Sequence, residues 1–331
     1  MANLPVIDIS TYRQNPHSEG SLTVAEALVA ACHNVGFAYI TGHGVDPALH
    51  QRLFELADSF FDLPLPQRQA LAIANSAAFR GYTTLGDERT NGTSDWREQI
   101  DFGPEQPAPK TFDGAPWLRL RGPNQWPAAL PDLKPTMLTW MDQMNTLGLT
   151  ALRALAFGLR QPEDRFDHAF LPEADTHVKV INYPPRPDDA TEQGVGTHHD
   201  TGVLTFIAQD SGGLQVSTVD GFVDAPPLED GYIMNLGEML QRSTNGYLRA
   251  TPHRVVSPID AARKSIAFFF NPRYESVFEA IELPPDLARH APGGEHQMID
   301  DEIHAVFGDN NLRTRLRSHP DVAARHYADL I

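Results

Sequence analysis

The sequence contains a single cysteine, Cys32, among 331 residues. One thiol cannot form an internal disulfide, so the fold is expected to persist without covalent cross-links in a reducing compartment, and we predict a cytoplasmic protein. Cys32 lies in the helical pattern VAEALVAACHNVGF. That position predicts a buried structural thiol rather than a nucleophile.

Basic residues are scarce. The chain has 26 lysines and arginines against 43 aspartates and glutamates, a net charge of −17. Nucleic-acid binding needs a basic face to neutralise phosphates, and adhesion to anionic membranes needs one as well. The composition therefore argues against nucleic-acid and membrane partners.

Several patterns with known functions are also missing. No stretch of about 18 apolar residues occurs, so no membrane span is expected. The opening MANLPVIDIS lacks the basic and apolar regions of a signal peptide, so no leader is expected. There is no Gly-x-Ser-x-Gly elbow, and no helical pattern follows Gly194 and Gly196, so a serine hydrolase and a dinucleotide site are not indicated.

Three potential metal ligands are present instead. His198 and Asp200 lie two positions apart in GTHHDTGVLTFIAQD, and His253 follows in TPHRVV. In a strand, residues i and i+2 point to the same side, and VLTFIA favours a strand. Two imidazoles and one carboxylate on a β-rich scaffold form the facial triad of non-haem Fe(II) oxygenases, which leaves coordination positions open for reagents.

A second His-x-Asp match, His319-Pro320-Asp321, precedes the helical pattern VAARHYADL. Proline at an early helical position is typical of a helix start. We therefore interpret this match as the beginning of a helix and not as a ligand pair.

A potential carboxylate receptor follows the distal histidine. Arg263 and Ser265 lead into IAFFFNP and share one side of a predicted strand. A planar guanidinium with a neighbouring hydroxyl is suited to bind a carboxylate. The complete order of His-x-Asp, distal His and Arg-x-Ser indicates a metal site beside a carboxylate receptor much more strongly than any one of these motifs does.

With these motifs the chain resembles the isopenicillin N synthase-like family of Fe(II)/2-oxoglutarate-dependent dioxygenases. LPVIDIS, ACHNVGFAYITGHGV, DWREQIDFG and INYPP resemble further segments of that family. The resemblance implies that His198, Asp200 and His253 bind Fe(II) and carry catalysis. It also implies that Arg263, Ser265 and Tyr183 contact 2-oxoglutarate. The expected reaction consumes O2, releases succinate and CO2, and hydroxylates, desaturates or cyclises a small metabolite at an unactivated C–H bond.

The expected fold is mainly β with flanking helices around a double-stranded β-helix, or jelly roll. Short strand patterns recur from residue 177 to 270, which is typical of such a fold. We predict four parts: an N-terminal α/β region at 1–130, a long supporting helix within 131–172, the jelly-roll core at 173–276 and a helical segment at 277–331. The longest helix is expected at 133–159, and terminal helices at 297–308 and 319–330.

Two residues are candidates for contacts to the primary substrate. By period two, Lys179 shares a side of its strand with Tyr183. A lysine facing the pocket needs an anion, so Lys179 is expected either to bind a substrate carboxylate, to lie in water at the pocket mouth, or to pair with a protein acid. Phe270, near the end of the strand after Ser265, could border the substrate.

Three alternatives remain open at this point. The chain could be a 2-oxoglutarate-independent Fe(II) oxidase of the isopenicillin N synthase type, in which Arg263 grips the substrate itself. It could be a Zn(II) hydrolase, because zinc also accepts two histidines and a carboxylate. It could also be a non-catalytic binding protein on an oxygenase scaffold.

Overall fold

The computed structural model describes residues 4–111, 114–188, 190–292 and 304–331. Fourteen strands lie within these ranges: β1 (Val6–Asp8), β2 (Phe37–Thr41), β3 (Gly81–Thr83), β4 (Arg89–Thr90), β5 (Thr93–Ser94), β6 (Glu98–Phe102), β7 (His177–Tyr183), β8 (Gln193–His198), β9 (Leu204–Gln209), β10 (Leu214–Thr218), β11 (Gly221–Asp224), β12 (Tyr232–Leu236), β13 (His253–Val256) and β14 (Arg263–Phe270).

Two of the sheets form the jelly roll. The larger has eight strands in the order β1-β2-β12-β9-β14-β7-β6-β3, and the smaller has four in the order β11-β10-β13-β8. The pairings within both are antiparallel, except for the parallel pair of β1 and β2. The predicted jelly roll is confirmed, and the N-terminal region extends the larger sheet through β1, β2, β3 and β6.

Ten α-helices lie in the described ranges: α1 (Ser10–Gln14), α2 (Glu19–Asn34), α3 (Pro47–Phe61), α4 (Leu65–Gln69), α5 (Leu133–Gly158), α6 (Asp167–Phe170), α7 (Glu238–Ser243), α8 (Pro285–Ala288), α9 (Phe307–Ser318) and α10 (Pro320–His326). The long helix predicted at 133–159 is confirmed as α5. None of the helices in these ranges combines the length and apolarity needed to cross a membrane.

The two faces of the larger sheet contact different parts of the molecule. On β14, Ile266, Phe268 and Phe270 are buried among the apolar side chains of the flanking helices. The alternate residue Ala267 belongs to a second apolar cluster between the two sheets. Because successive side chains of a strand point to opposite faces, one face of this sheet builds the core and the other borders the space between the sheets.

The C-terminal helices differ from the prediction. Helices were expected at 297–308 and 319–330, but they lie at Phe307–Ser318 and Pro320–His326, and residues 297–303 lie outside the described ranges. A tertiary contact fixes the start of α9, because Gly308 N donates to Tyr274 O at 2.8 Å and the rings of Phe307 and Tyr274 stack. Local periodicity does not contain that contact.

The second His-x-Asp match begins a helix, as predicted. Pro320 is in the first turn of α10, His319 is buried, and Asp321 is exposed.

Candidate active site

A cavity of about 560 Å³ opens between the two sheets and brings most of the predicted site residues together. Its size is within the usual range for small-molecule sites. The strands place the residues of the cavity wall in rows: Ile207 lies opposite Ala267, and Thr205 lies opposite Phe269.

The two candidate histidine ligands are cross-strand neighbours. His198 on β8 is the register partner of His253 on β13, and the centroids of their rings are 4.3 Å apart. His198 Nδ1 is 2.8 Å from Gly196 O, and His253 Nδ1 is 3.2 Å from Thr251 O. Since a carbonyl only accepts, each Nδ1 carries the proton and each Nε2 keeps a lone pair for a metal.

Asp200 completes the cluster. One ligand atom from each of the three residues lies within 4.8 Å of the others, and His198 Nε2 is 3.8 Å from Asp200 Oδ1. Asp200 Oδ2 accepts hydrogen bonds from Thr205 Oγ1 and from Asn235 Nδ2, the latter at 2.7 Å. Its Oδ1 therefore remains for a metal.

The strand argument for His198 and Asp200 was only half right. β8 ends at His198, and Asp200 lies in the turn that follows. The turn, together with the hydrogen bonds from Thr205 and Asn235, aims the carboxylate.

The protonation states suit metal binding. Burial, and after it the neighbouring His198, lowers the pKa of His253 to about 4, and burial also lowers the pKa of His198. Burial alone would raise the pKa of Asp200, but the adjacent imidazoles and the two hydrogen bonds outweigh it and hold that pKa below its usual range. Near neutral pH the cluster therefore offers two neutral imidazoles and one carboxylate, the forms that bind metal. This donor set fits Fe(II).

Arg263 lies at the other end of the cavity. Its side chain is 1% exposed, and its Nη2 donates to Gln209 Oε1 at 2.6 Å. Its Nη1 is 3.4 Å from Ser265 Oγ, and its guanidinium lies 4.6 Å from the ring centroid of Tyr183. No carboxylate pairs with it in the described part of the chain, and its Nε has no hydrogen-bond partner there. A buried guanidinium with only neutral partners is suited to bind an anion.

Lys179 lines the cavity, as its position on β7 predicted, but its charge is already compensated. Its Nζ lies 2.5 Å from Glu88 Oε1 and 4.0 Å from Asp101 Oδ1. Of the three expectations for Lys179, pairing with a protein acid is the one that the structure shows.

The prediction that Phe270 borders the substrate was wrong. It is 2% exposed, stacks on Phe170 at 4.4 Å, and faces α5, where a Cβ on Gly148 would come within 2.4 Å of its ring. The cavity is lined by Phe269 instead. Phe269 shares the parity of Arg263 and Ser265, so the period-two rule applied consistently would have selected it.

Sequence reasoning also missed several residues of the site, some in the cavity wall and others bonded to Arg263 or Asp200. Thr205 and Gln209 lie on the same side of β9 as Ile207, which lines the cavity. The period-two rule applied to this strand could have identified them. Asn235 lies on β12, and Asn311 and Arg315 lie on α9, outside the metal-ligand and carboxylate motifs. No local pattern marks these three.

Comparisons with known proteins agree with this geometry. Residues 4–129 match the family of the non-haem dioxygenase in morphine synthesis N-terminal region, and residues 175–272 match the 2OG-Fe(II) oxygenase superfamily. A 2-oxoglutarate-dependent dioxygenase from Dothideomycetidae sp. is 31% identical over 98% of this chain and 91% of its own. A homoarginine-6-hydroxylase from Arabidopsis thaliana is 32% identical over 85% of this chain and 80% of its own.

A solved structure shares the fold. A Neurospora crassa protein in complex with alpha-KG and thymine superimposes with a TM-score of 0.74 at 29% identity, covering 95% of this chain and 96% of that one. The chain belongs to the 2OG-Fe(II) oxygenase superfamily. It is an Fe(II)/2-oxoglutarate-dependent dioxygenase, an oxidoreductase that acts on a small metabolite.

Proposed function

We propose that the enzyme hydroxylates a C–H bond of a carboxylate-bearing small metabolite, with His198, Asp200 and His253 as the Fe(II) ligands. Arg263, Ser265 and Tyr183 hold the distal carboxylate of 2-oxoglutarate. The single observation that supports this most strongly is the burial of Arg263 among neutral partners. A buried guanidinium is costly unless it is paired, and the dicarboxylate co-substrate supplies the missing charge.

The chain's own residues prepare the site. Gly196 O and Thr251 O orient the two imidazoles, while Thr205 and Asn235 fix the carboxylate of Asp200. Such partners tune a metal and hold its ligands in place. An iron held here supplies the activation of O2, coupled to the conversion of 2-oxoglutarate into succinate and CO2.

The cavity walls position the reactants. The apolar residues between the two sheets exclude water from the space between the ligand cluster and Arg263: Ile181, Val195, Ile207, Leu214, Val255 and Ala267. Water exclusion strengthens the electrostatic contacts inside and limits side reactions. Placing one C–H bond beside the metal then decides which carbon reacts.

The charge of the cavity supports a carboxylate-bearing substrate. Among the described residues, seven basic side chains line it: Arg89, Arg97, Lys179, Arg263, Arg313, Arg315 and Arg317. Three acidic side chains of the described ranges do so, Glu88, Asp200 and Glu238, in a chain where acids outnumber bases 43 to 26. An excess of one sign of charge in a cavity wall concentrates ligands of the opposite sign. Free amino acids are the first class to test, since an Arabidopsis relative is a homoarginine hydroxylase.

The experiment measures O2 uptake and succinate release by the purified protein with Fe(II), 2-oxoglutarate and candidate metabolites. One succinate per hydroxylated product is expected. Turnover without 2-oxoglutarate would favour the isopenicillin N synthase type of oxidase, and hydrolysis supported by Zn(II) would favour the hydrolase. Absence of succinate under all conditions would indicate a non-catalytic scaffold.

A cytoplasmic location is part of the same proposal. Cys32 is fully buried in α2, and its burial raises the pKa of the thiol. An inert buried thiol is compatible with a reducing compartment.

A further inference from the structure

One face of α9 presents polar side chains to the cavity. Asn311, Thr314, Arg315 and Ser318 follow the spacing i, i+3, i+4, i+7, which places them on one side of a helix, and all four line the cavity. Phe307 and Leu312 of the same helix are buried in the core. An amphipathic helix that lines a cavity with its polar face is suited to a polar ligand.

Asn311 carries the strongest sign of a ligand. Its side chain is only 9% exposed, and its carboxamide has no hydrogen-bond partner among the described residues. Its amide atoms are not sealed off from the cavity, so a polar group of a bound molecule can reach them. Such a group would supply the hydrogen bonds that amides in protein interiors almost always make.

Arg315 stands one turn further along the same face. Its Nη1 donates to Asp101 Oδ1 at 3.3 Å, which is its one side-chain hydrogen bond within the described ranges. A guanidinium has five N–H donors in a planar fork, so most of them remain for a ligand. Asp101 is thus a positioning residue that fixes this fork at the edge of the cavity.

Two neighbouring cations, Arg97 and Lys179, are less available to a ligand because they already pair with protein carboxylates. Arg97 Nη2 lies 3.1 Å from Asp95 Oδ2 and 3.2 Å from Glu88 Oε1, and Lys179 pairs with the same Glu88 oxygen. Acids and bases alternate from there through Asp101 to Arg315. Arg315 ends this series, with Asn311 beside it on the helix.

We propose that Asn311 and Arg315 form the receptor for the carboxylate of the primary substrate, at the end of the cavity formed by α9. This inference rests on the proposed function, since it concerns the substrate of that same reaction. It assigns to α9 the role that sequence reasoning had considered for Lys179. The substrate class is a free amino acid whose carboxylate accepts from the guanidinium and from the Asn311 amide.

The test uses the full-length enzyme with Fe(II) and 2-oxoglutarate. The probes are L-homoarginine, L-arginine and L-lysine, each beside its carboxamide, with thymine as a neutral comparison. Succinate release above the substrate-free rate is measured. The wild-type enzyme is expected to be stimulated by at least one free acid and at least 10-fold less by its amide, because a charge-assisted contact is lost.

Two variants locate the receptor. Arg315→Gln is expected to raise the KM for the acid about 10- to 100-fold and to move the acid-to-amide ratio toward one. Asn311→Asp keeps the size of the side chain but adds a negative charge, so it is expected to penalise the acid more than the amide. The control is Arg325→Gln on α10, which bonds Asn75 on the surface and should leave the ratio unchanged.

The outcomes separate the two proposals. An enzyme that releases no succinate under any of these conditions, with or without a probe, contradicts the proposed function. An enzyme that consumes 2-oxoglutarate but is stimulated equally by acids and amides, by thymine alone, or by no probe contradicts the receptor. Retention of the acid-to-amide ratio in both variants also contradicts it, and that readout does not move when a substitution merely destabilises the fold.

Discussion

At the scale of single residues, the site depends on charges and hydrogen bonds that are in place before any ligand binds. Arg263 has neutral partners, Gln209 and Ser265, and is suited to bind an anion. Asp200 has one oxygen held by the protein and one that points to the cluster. Each feature leads to a substitution with a defined result.

Arg263→Gln is expected to raise the KM for 2-oxoglutarate at least 100-fold, because it removes the charge that pairs with the distal carboxylate. The measurement is succinate release against 2-oxoglutarate concentration. Lys264→Gln is the control: the next residue points the other way and pairs with exposed Asp58. Equal KM values for the Arg263 variant and the wild type would refute the assignment.

Thr205→Val is expected to weaken Fe(II) binding about 10-fold, since it removes one of the two hydrogen bonds that orient Asp200 while keeping the side-chain size. Anaerobic metal titration gives the Kd directly. Thr218→Val, on the exposed end of β10, is the matched control. If both variants bind Fe(II) as the wild type does, Thr205 has no part in holding the ligand.

Lys179→Met is expected to lower the free energy of unfolding by about 3 kcal/mol, because it leaves the buried Glu88 with one cation fewer. Adding Glu88→Gln should recover much of the loss. Lys264→Met breaks a pair of the same 2.5 Å length with an exposed partner and should cost less than about 1 kcal/mol. Denaturant unfolding measures all three, and equal costs for both lysines would contradict the argument.

At the scale of elements, the cavity depends on how closely α5 supports the larger sheet. A Cβ on Gly148 would lie 2.4 Å from the ring of Phe270. Because Gly148 has no side chain, the ring of Phe270 packs directly on α5. This packing fixes the distance between α5 and β14, whose other face carries Arg263 and Ser265.

Gly148→Ala is therefore expected to destabilise the protein by about 1 to 3 kcal/mol through overpacking, despite alanine's better helix propensity. Gly212→Ala is the control, because nothing lies within 4 Å of a Cβ at that position. A Gly148→Ala protein as stable as the wild type would show that α5 can shift without cost.

Short-range sequence patterns predicted many of the helices, strands and motifs, but they did not predict the contacts between residues that are distant in sequence. The triad, Arg263 and Ser265 were recognisable because each motif is compact and their order is distinctive. The pairing of Lys179 with Glu88 joins residues 91 positions apart, and the start of α9 is bonded to Tyr274, 34 positions before Gly308. The four-part division of the chain stays a prediction.

At the scale of the whole molecule, buried histidines make the fold sensitive to acid. Burial lowers the pKa of His319 and of His253 to about 4, and it lowers that of His177 well below its usual range. These groups are neutral in the folded state and take up protons on unfolding below about pH 6.5. Their contribution to stability is complete above that pH and is lost as the pH falls toward 4.

The free energy of unfolding of the metal-free protein is expected to fall by several kcal/mol between about pH 6.5 and pH 4.5. Denaturant unfolding in the presence of a chelator measures it. His319→Gln should reduce the slope by close to one proton, and His290→Gln, at an exposed position, is the matched control. A flat profile would mean that these side chains bind protons equally in the folded and the unfolded state.

The central claim is that one cavity holds Fe(II) on His198, Asp200 and His253 and 2-oxoglutarate on Arg263. Anaerobic titration of the Fe(II)-loaded protein with 2-oxoglutarate tests it most directly. The account predicts a weak visible charge-transfer band that saturates at one equivalent and is lost in His253→Ala. A protein that binds iron but develops no such band at any 2-oxoglutarate concentration would contradict it.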